Sequence, residues 1–314
     1  MLKIATRLAA IVTFTALAIW LFAERGRPLR RSTWRMIQEG RNRRWRTRQF
    51  IHSYLYARFP TEYIGYALKY IMPKFDARGR QSAADHYHGK VMPTELAKAL
   101  VTVDRPIDVP DLEQIIPYSV ARQLVLDGPP EVAAFECPCR MRKPEHCEPT
   151  QVCMIVGQPY VDFVLEHHPA KSKRLTTQEA VALLEAEHAR GHIHAAYFKD
   201  VMFNRFFAIC NCCSCCCGAV ESMTRHGVPM IASSGYVAQV NTVQCAACGR
   251  CEDACPFGAI HVNGASSVDW QVCMGCGVCV SQCPNDALSL ARDARKGIPL
   301  DVKALQSHFP ISNL

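Results

Sequence analysis

Cys245-Ala-Ala-Cys248-Gly-Arg-Cys251-Glu-Asp-Ala-Cys255-Pro256 recurs as Cys273-Met-Gly-Cys276-Gly-Val-Cys279-Val-Ser-Gln-Cys283-Pro284, each residue 28 positions after its counterpart. The repeat runs beyond the cysteines and carries Ala259-Ile260 onto Ala287-Leu288. Three cysteines at two-residue intervals let one tight loop reach three corners of a cubic metal centre. The fourth, placed before a proline, opens a segment that leads away. Structural zinc needs no such pattern, and these are metal-ligand spacings rather than those of a disulfide framework.

Over residues 236–291 the chain resembles the bacterial 2[4Fe–4S] ferredoxin domain. That resemblance implies a pseudo-twofold β-α-β fold, two [4Fe–4S] clusters and one-electron transfer. In that family the fourth cysteine of each motif crosses to the other cluster. Cys245, Cys248, Cys251 and Cys283 are therefore expected at one cluster, and Cys255, Cys273, Cys276 and Cys279 at the other. The surrounding residues agree. Ala246, Ala247, Gly249, Gly275 and Gly277 are small enough for backbone N–H groups to approach cluster sulfurs. Tyr236–Asn241 and Ala259–Val262 alternate like strands, and Asn263-Gly264 is a hairpin-type turn leading to Val268-Asp269-Trp270.

Upstream lie ten more cysteines: Cys137, Cys139, Cys147 and Cys153, then six within the eight residues Cys210–Cys217. Between them a helix is expected over 177–190, with a capping box from Thr176 and Glu179 and a stop at Gly191. Adjacent side chains point in different directions, so the six cannot all reach one ion. Some must meet the earlier four in space. Cys137, Cys139, Cys147, Cys153, Cys210, Cys212, Cys213 and Cys216 are the candidate ligands of a further [4Fe–4S] cluster. Two clusters, zinc, and redox-active or merely buried thiols stay open as alternatives. His192 and His194 offer nitrogen ligands but equally suit structural roles. The block from Cys137-Pro-Cys139-Arg140 to Cys210-Asn-Cys212-Cys213 is similar to a module preceding such domains in iron–sulfur proteins of bacteria and archaea. It brings no biochemical role.

The chain has 314 residues and 18 cysteines, none before Cys137. Half of it is hydrophobic (49%) and a fifth charged, which fits a folded protein. Free thiols in this number belong in a reducing compartment. Residues 24–48 hold ten arginines against two glutamates, which matches the whole net charge of +8. They follow the uncharged run Leu8–Ala23, so membrane lipid, not nucleic acid, is the expected partner. A transmembrane helix is expected there, with a cleaved signal peptide as its rival and the body on the cytoplasmic side. Each arginine would contribute about 1 kcal/mol near anionic headgroups.

Aromatic residues crowd 49–75, with Tyr63, Tyr66 and Tyr70 at helical spacing; a helix packed on the body competes with an interfacial one. Asp85-His86-Tyr87-His88 reads as a polar loop, 93–101 and 117–128 as short helices, and the tail after Leu290 as a cap or partner contact. No G-x-G-x-x-G, C-x3-C-x2-C or C-x-x-C-H is present, so dinucleotide, radical and haem sites are not indicated.

The expected architecture is α+β: an N-terminal transmembrane helix, a mainly helical cysteine-rich middle domain and a C-terminal ferredoxin-like domain. Its segments are a 1–23 anchor, an Arg-rich 24–48, a helical 49–130, a cysteine module at 131–235, the 236–291 domain and a 292–314 tail. The expected function is a membrane-anchored iron–sulfur protein relaying single electrons between redox partner proteins. It reads as a carrier or electron-transfer subunit rather than a stand-alone enzyme. The alternative is a reductase with a special cluster held by Cys137–Cys217, and a third reading is a zinc- or redox-sensing subunit.

Overall fold

The computed structural model describes residues 29–308, together with 10, 12–14 and 17. Nine strands build the body: β1 Tyr87–Met92, β2 Pro106–Val109, β3 Leu124–Asp127, β4 Val132–Phe135, β5 Cys153–Val156, β6 Ser172–Leu175, β7 Ile193–Lys199, β8 Arg205–Cys212 and β9 Ile231–Ala232. Seven form one sheet in the order β6-β4-β5-β8-β7-β1-β9, while β2 and β3 pair separately. Every pairing in the large sheet is antiparallel except that of β1 with β9.

This sheet overturns the expected mainly helical middle domain. The fold is mixed α/β. The sequence misleads because β7 is buried at all seven of its positions and β8 at seven of eight. A strand buried on both faces loses the apolar–polar alternation that marks strands at the surface. The 117–128 helix is likewise replaced: β3 pairs with β2, burying Leu124 and Leu126. Asp85-His86-Tyr87-His88 is no loop; a helix ends at His86 and β1 begins at Tyr87. The ring of His88 is buried and stacks on Tyr118 with centroids 4.0 Å apart.

The N-terminal transmembrane helix is also corrected. Among the described residues no helix is long and apolar enough to cross a membrane. Most of the apolar run 8–23 lies outside the described residues. The first arginine-rich helix, Arg31–Asn42, docks on the helix Tyr160–His167. Ser32 N–H donates to Glu166 Oε2 at 2.9 Å, and Arg35 pairs with Asp162 at 2.6 Å.

The helix Thr177–Ala189 starts with its capping box formed: Thr176 N–H donates to Glu179 Oε2 at 2.9 Å, and Glu179 N–H to Thr176 Oγ1 at 3.2 Å. It packs with the helix Thr94–Val101, against which the C-terminal helix Val302–His308 also lies. Leu300 and Val302 are buried in the main core.

Four further strands follow. β10 Tyr236–Val240 pairs with β13 Leu288–Arg292, and β11 Ile260–Asn263 with β12 Ala265–Val268. The 28-residue repeat is visible in the backbone. Ala247 and Gly275, Gly249 and Gly277, and Gly258 and Asp286 all take positive φ. Of these repeat positions Gly275 is the most crowded glycine: a Cβ there would lie 2.2 Å from the Tyr236 carbonyl oxygen.

Candidate metal centres

The two motif loops each lead into a short helix, Arg250–Ala254 and Val278–Ser281, from left-handed glycines at 249 and 277. The left-handed turn folds the loop back so that its cysteines converge. One small cavity is lined by Cys245, Cys248, Cys251 and Cys283, and a second by Cys255, Cys273, Cys276 and Cys279. All eight are free thiols.

Backbone donors aim at these sulfurs. Ala259 N–H lies 3.3 Å from Cys255 Sγ, and Ala287 N–H, its repeat partner, 3.3 Å from Cys283 Sγ. Ser266 and Ala238 N–H groups reach Cys245 and Cys273 Sγ at 3.4 and 3.5 Å. Ser266 Oγ and N–H also pull the Cys245 thiol down from its ordinary range. Burial pushes Cys276 up to about 12. Such N–H···S bonds stabilise anionic sulfur, so the donor set fits thiolate-bound [4Fe–4S] clusters.

The two cavities differ in surroundings. Cys248 is exposed, whereas Cys276 and Val278 belong to the main core. Gln282 Nε2 donates to Ala189 O at 3.2 Å, tying the second loop to the capped helix of the body.

The upstream cysteines separate into two groups. Cys147, Cys213, Cys215 and Cys216 have sulfurs all within 4.8 Å of one another, the only such grouping of metal-ligating side chains among the described residues. Cys147 Sγ is 3.4 Å from Cys213 and 3.9 Å from Cys216. Burial raises Cys147 to about 11 despite the Cys213 contact and the Arg140 charge. Lys143 Nζ donates to Cys215 O at 2.5 Å and Arg142 Nη2 to Cys216 O at 3.4 Å, so cations stand beside the quartet. Four converging thiols with compensating positive charge fit a tetrathiolate metal centre.

Cys137, Cys139, Cys153, Cys210, Cys212 and Cys217 lie outside the quartet. Together with Cys213 they line a cavity of about 460 Å³, whose other walls carry Leu68, Met72, Tyr63 and Lys199. Cys215 and Cys217 were not among the expected ligands. Nothing in the linear spacing distinguishes them from their neighbours; the turn after β8 decides which way each points.

Buried Lys199 lies 4.9 Å above the Tyr56 and Tyr87 rings and 5.7 Å above Tyr63. Burial lowers its pKa against the opposing Asp200 charge. Tyr63 is raised to about 12 by burial, and its hydroxyl meets His52 Nε2 at 2.6 Å. His192 is a structural residue: its Nδ1 lies 2.7 Å from Glu187 Oε2. His194 Nδ1 likewise meets Asn211 Oδ1 at 2.6 Å.

The 4Fe-4S binding domain family matches residues 238–261 and 267–289. Comparison with curated proteins gives no match. Residues 238–289 are a ferredoxin-type 4Fe-4S segment, which supports an iron–sulfur electron-transfer role.

Proposed function

We propose that the chain relays single electrons between redox partner proteins and its own cysteine-rich body. Two [4Fe–4S] clusters, held by Cys245, Cys248, Cys251 and Cys283 and by Cys255, Cys273, Cys276 and Cys279, supply the one-electron chemistry. The observation that carries this reading is the unequal placement of the two loops. The first presents Cys248 to solvent, where a partner can dock; the second is built into the main core against the end of the capped helix Thr177–Ala189. Cys147, Cys213, Cys215 and Cys216 are assigned to a further metal centre.

Within this scheme the backbone N–H groups at Ala238, Ala259, Ser266 and Ala287 stabilise thiolate charge. Stabilising the negative charge of the reduced centre by such donors raises its potential. The test is a potentiometric titration of anaerobically purified protein followed by EPR. At least two one-electron centres are expected, and Cys248→Ser should alter one ferredoxin-type centre and spare the other. A protein with no reducible iron would sink the proposal.

A second reading, a reductase, is favoured by one feature: the 460 Å³ cavity places cysteine sulfurs opposite Lys199 and the His52–Tyr63 pair. A protonated lysine beside a redox centre is equipped to hand a proton to a reduced substrate. If Lys199→Met leaves turnover of every tested electron acceptor unchanged, this reading fails.

A further inference from the structure

The six cysteines outside the quartet form a continuous arc. All six line one cavity, with Cys137 neighbouring Cys139 and Cys153, Cys153 neighbouring Cys210, Cys210 neighbouring Cys212, and Cys212 neighbouring Cys217. The arc turns back on itself at Gly218, where a Cβ would lie 3.3 Å from Cys139 Sγ. Three separate pieces of chain supply it. β5 and β8 pair with Met154 opposite Ile209, which sets Cys153 next to Cys210. Cys210 and Cys212 then share one face of β8. Cys137 and Cys139 come from the short helix Pro138–Met141 and its N-cap, and Cys217 caps the helix Gly218–His226.

Six neighbouring thiols, four buried and two half-buried, with no disulfide among them are a poor use of core volume unless something binds them. Their spread says what. No three of these sulfurs lie mutually within 4.8 Å, so the arc is too wide for one ion. A polynuclear cluster presents metal corners several ångströms apart and suits such a frame. A second observation points the same way. The Tyr197 hydroxyl is buried, has no hydrogen-bonding nitrogen or oxygen partner, and faces Cys212. Buried hydroxyls are rarely left unpaired, and a sulfide- or thiolate-bearing centre would supply the acceptor. Arg140, buried between the arc and the quartet, provides positive charge to both.

We infer that Cys137, Cys139, Cys153, Cys210, Cys212 and Cys217 hold a polynuclear iron–sulfur cluster, separate from the metal at the quartet and facing the 460 Å³ cavity. This deepens the proposed function by giving the body its own cluster, open to a small molecule on one side.

The full chain, purified anaerobically with its metals, tests this. Iodoacetamide is applied before and after a chelator strips the iron, and modified residues are located by mass spectrometry. Cys139 and Cys210, the half-buried members, should be protected in the loaded protein and modified in the stripped one. Equal modification in both states overturns the inference. In the second arm, Cys139→Ser/Cys210→Ser should lower iron by roughly four or more atoms per chain. The metal lost by Cys147→Ser/Cys215→Ser should be retained in that variant. Iron unchanged from wild type also overturns the inference. The ferredoxin-type clusters are read separately through Cys248→Ser, so failure of either assignment shows by itself.

Discussion

Arg140 Nη2 lies 3.2 Å from Glu187 Oε2, and neither side chain is more than 1% exposed. The same guanidinium reaches His192 Nδ1 at 3.3 Å and the Asn211 carbonyl at 3.4 Å, and it donates to the Pro149 carbonyl. Arg140 therefore joins the cysteine loop of 137–153, the capped helix and the end of β8. Burial pushes the Glu187 carboxyl up, but the His192 hydrogen bond and the charges of His192, Arg140 and Arg190 outweigh it and hold it low.

Removing Glu187 leaves the Arg140 charge buried without a carboxylate, whereas removing Arg140 leaves Glu187 with Arg190 and His192, each at 2.7 Å. Glu187→Ala should destabilise the chain by about 3–5 kcal/mol, and Arg140→Ala by less. Urea unfolding checks this. A loss under about 1 kcal/mol for Glu187→Ala would mean that water reaches the site.

His88 sets a pH dependence. Burial depresses its pKa to about 4, from an ordinary value of 6.5, against hydrogen bonds to backbone carbonyls such as Ala84. Between those values the unfolded state takes up the proton and the folded state does not. The stabilisation is therefore complete above 6.5 and is lost as pH falls toward 4. The loss should be on the order of 3 kcal/mol at its fullest. Unfolding midpoints of wild type and His88→Phe at pH 7 and pH 5 should diverge, with the variant less sensitive. Parallel curves would assign the pH response elsewhere.

Two glycines of the repeat should behave differently on substitution. Gly249 and Gly277 start corresponding helices, but it is Gly275 whose Cβ would strike Tyr236 O at 2.2 Å and Ser234 Oγ at 2.4 Å. Gly249 has open space, so Gly249→Ala meets only the left-handed strain of about 1–2 kcal/mol. Gly275→Ala should lose one cluster's iron outright. Iron per chain distinguishes the two; equal losses would refute the steric argument.

Air should attack the loops unequally. Cys248 is exposed, while Cys273, Cys276 and Cys279 are buried. Brief oxygen exposure should bleach the centre that Cys248→Ser removes before the other, as followed by EPR. Simultaneous loss would argue that both are equally open.

The fate of the ten upstream cysteines shows where reading the chain ends. Their abundance and the impossibility of one shared ion follow from residue spacing. Their division does not, because Cys147 and Cys213 meet across 66 positions of sequence. The two unexpected members, Cys215 and Cys217, are adjacent to expected ones and go to different sites. Likewise β7 and β8 hide their period because both faces are covered, while the capping box of Thr176 and Glu179 is local and therefore legible.

By itself the sequence determined the ferredoxin-type segment, since its ligand spacing, small residues and left-handed turns all act within a few bonds of one another. Tertiary structure decided that one of its loops is solvent-facing and the other core-bound. It also decided that the remaining cysteines form a quartet and an arc. Those outcomes depend on strand register and on which elements pack together. Contacts between distant residues fix them, and no local spacing encodes such contacts.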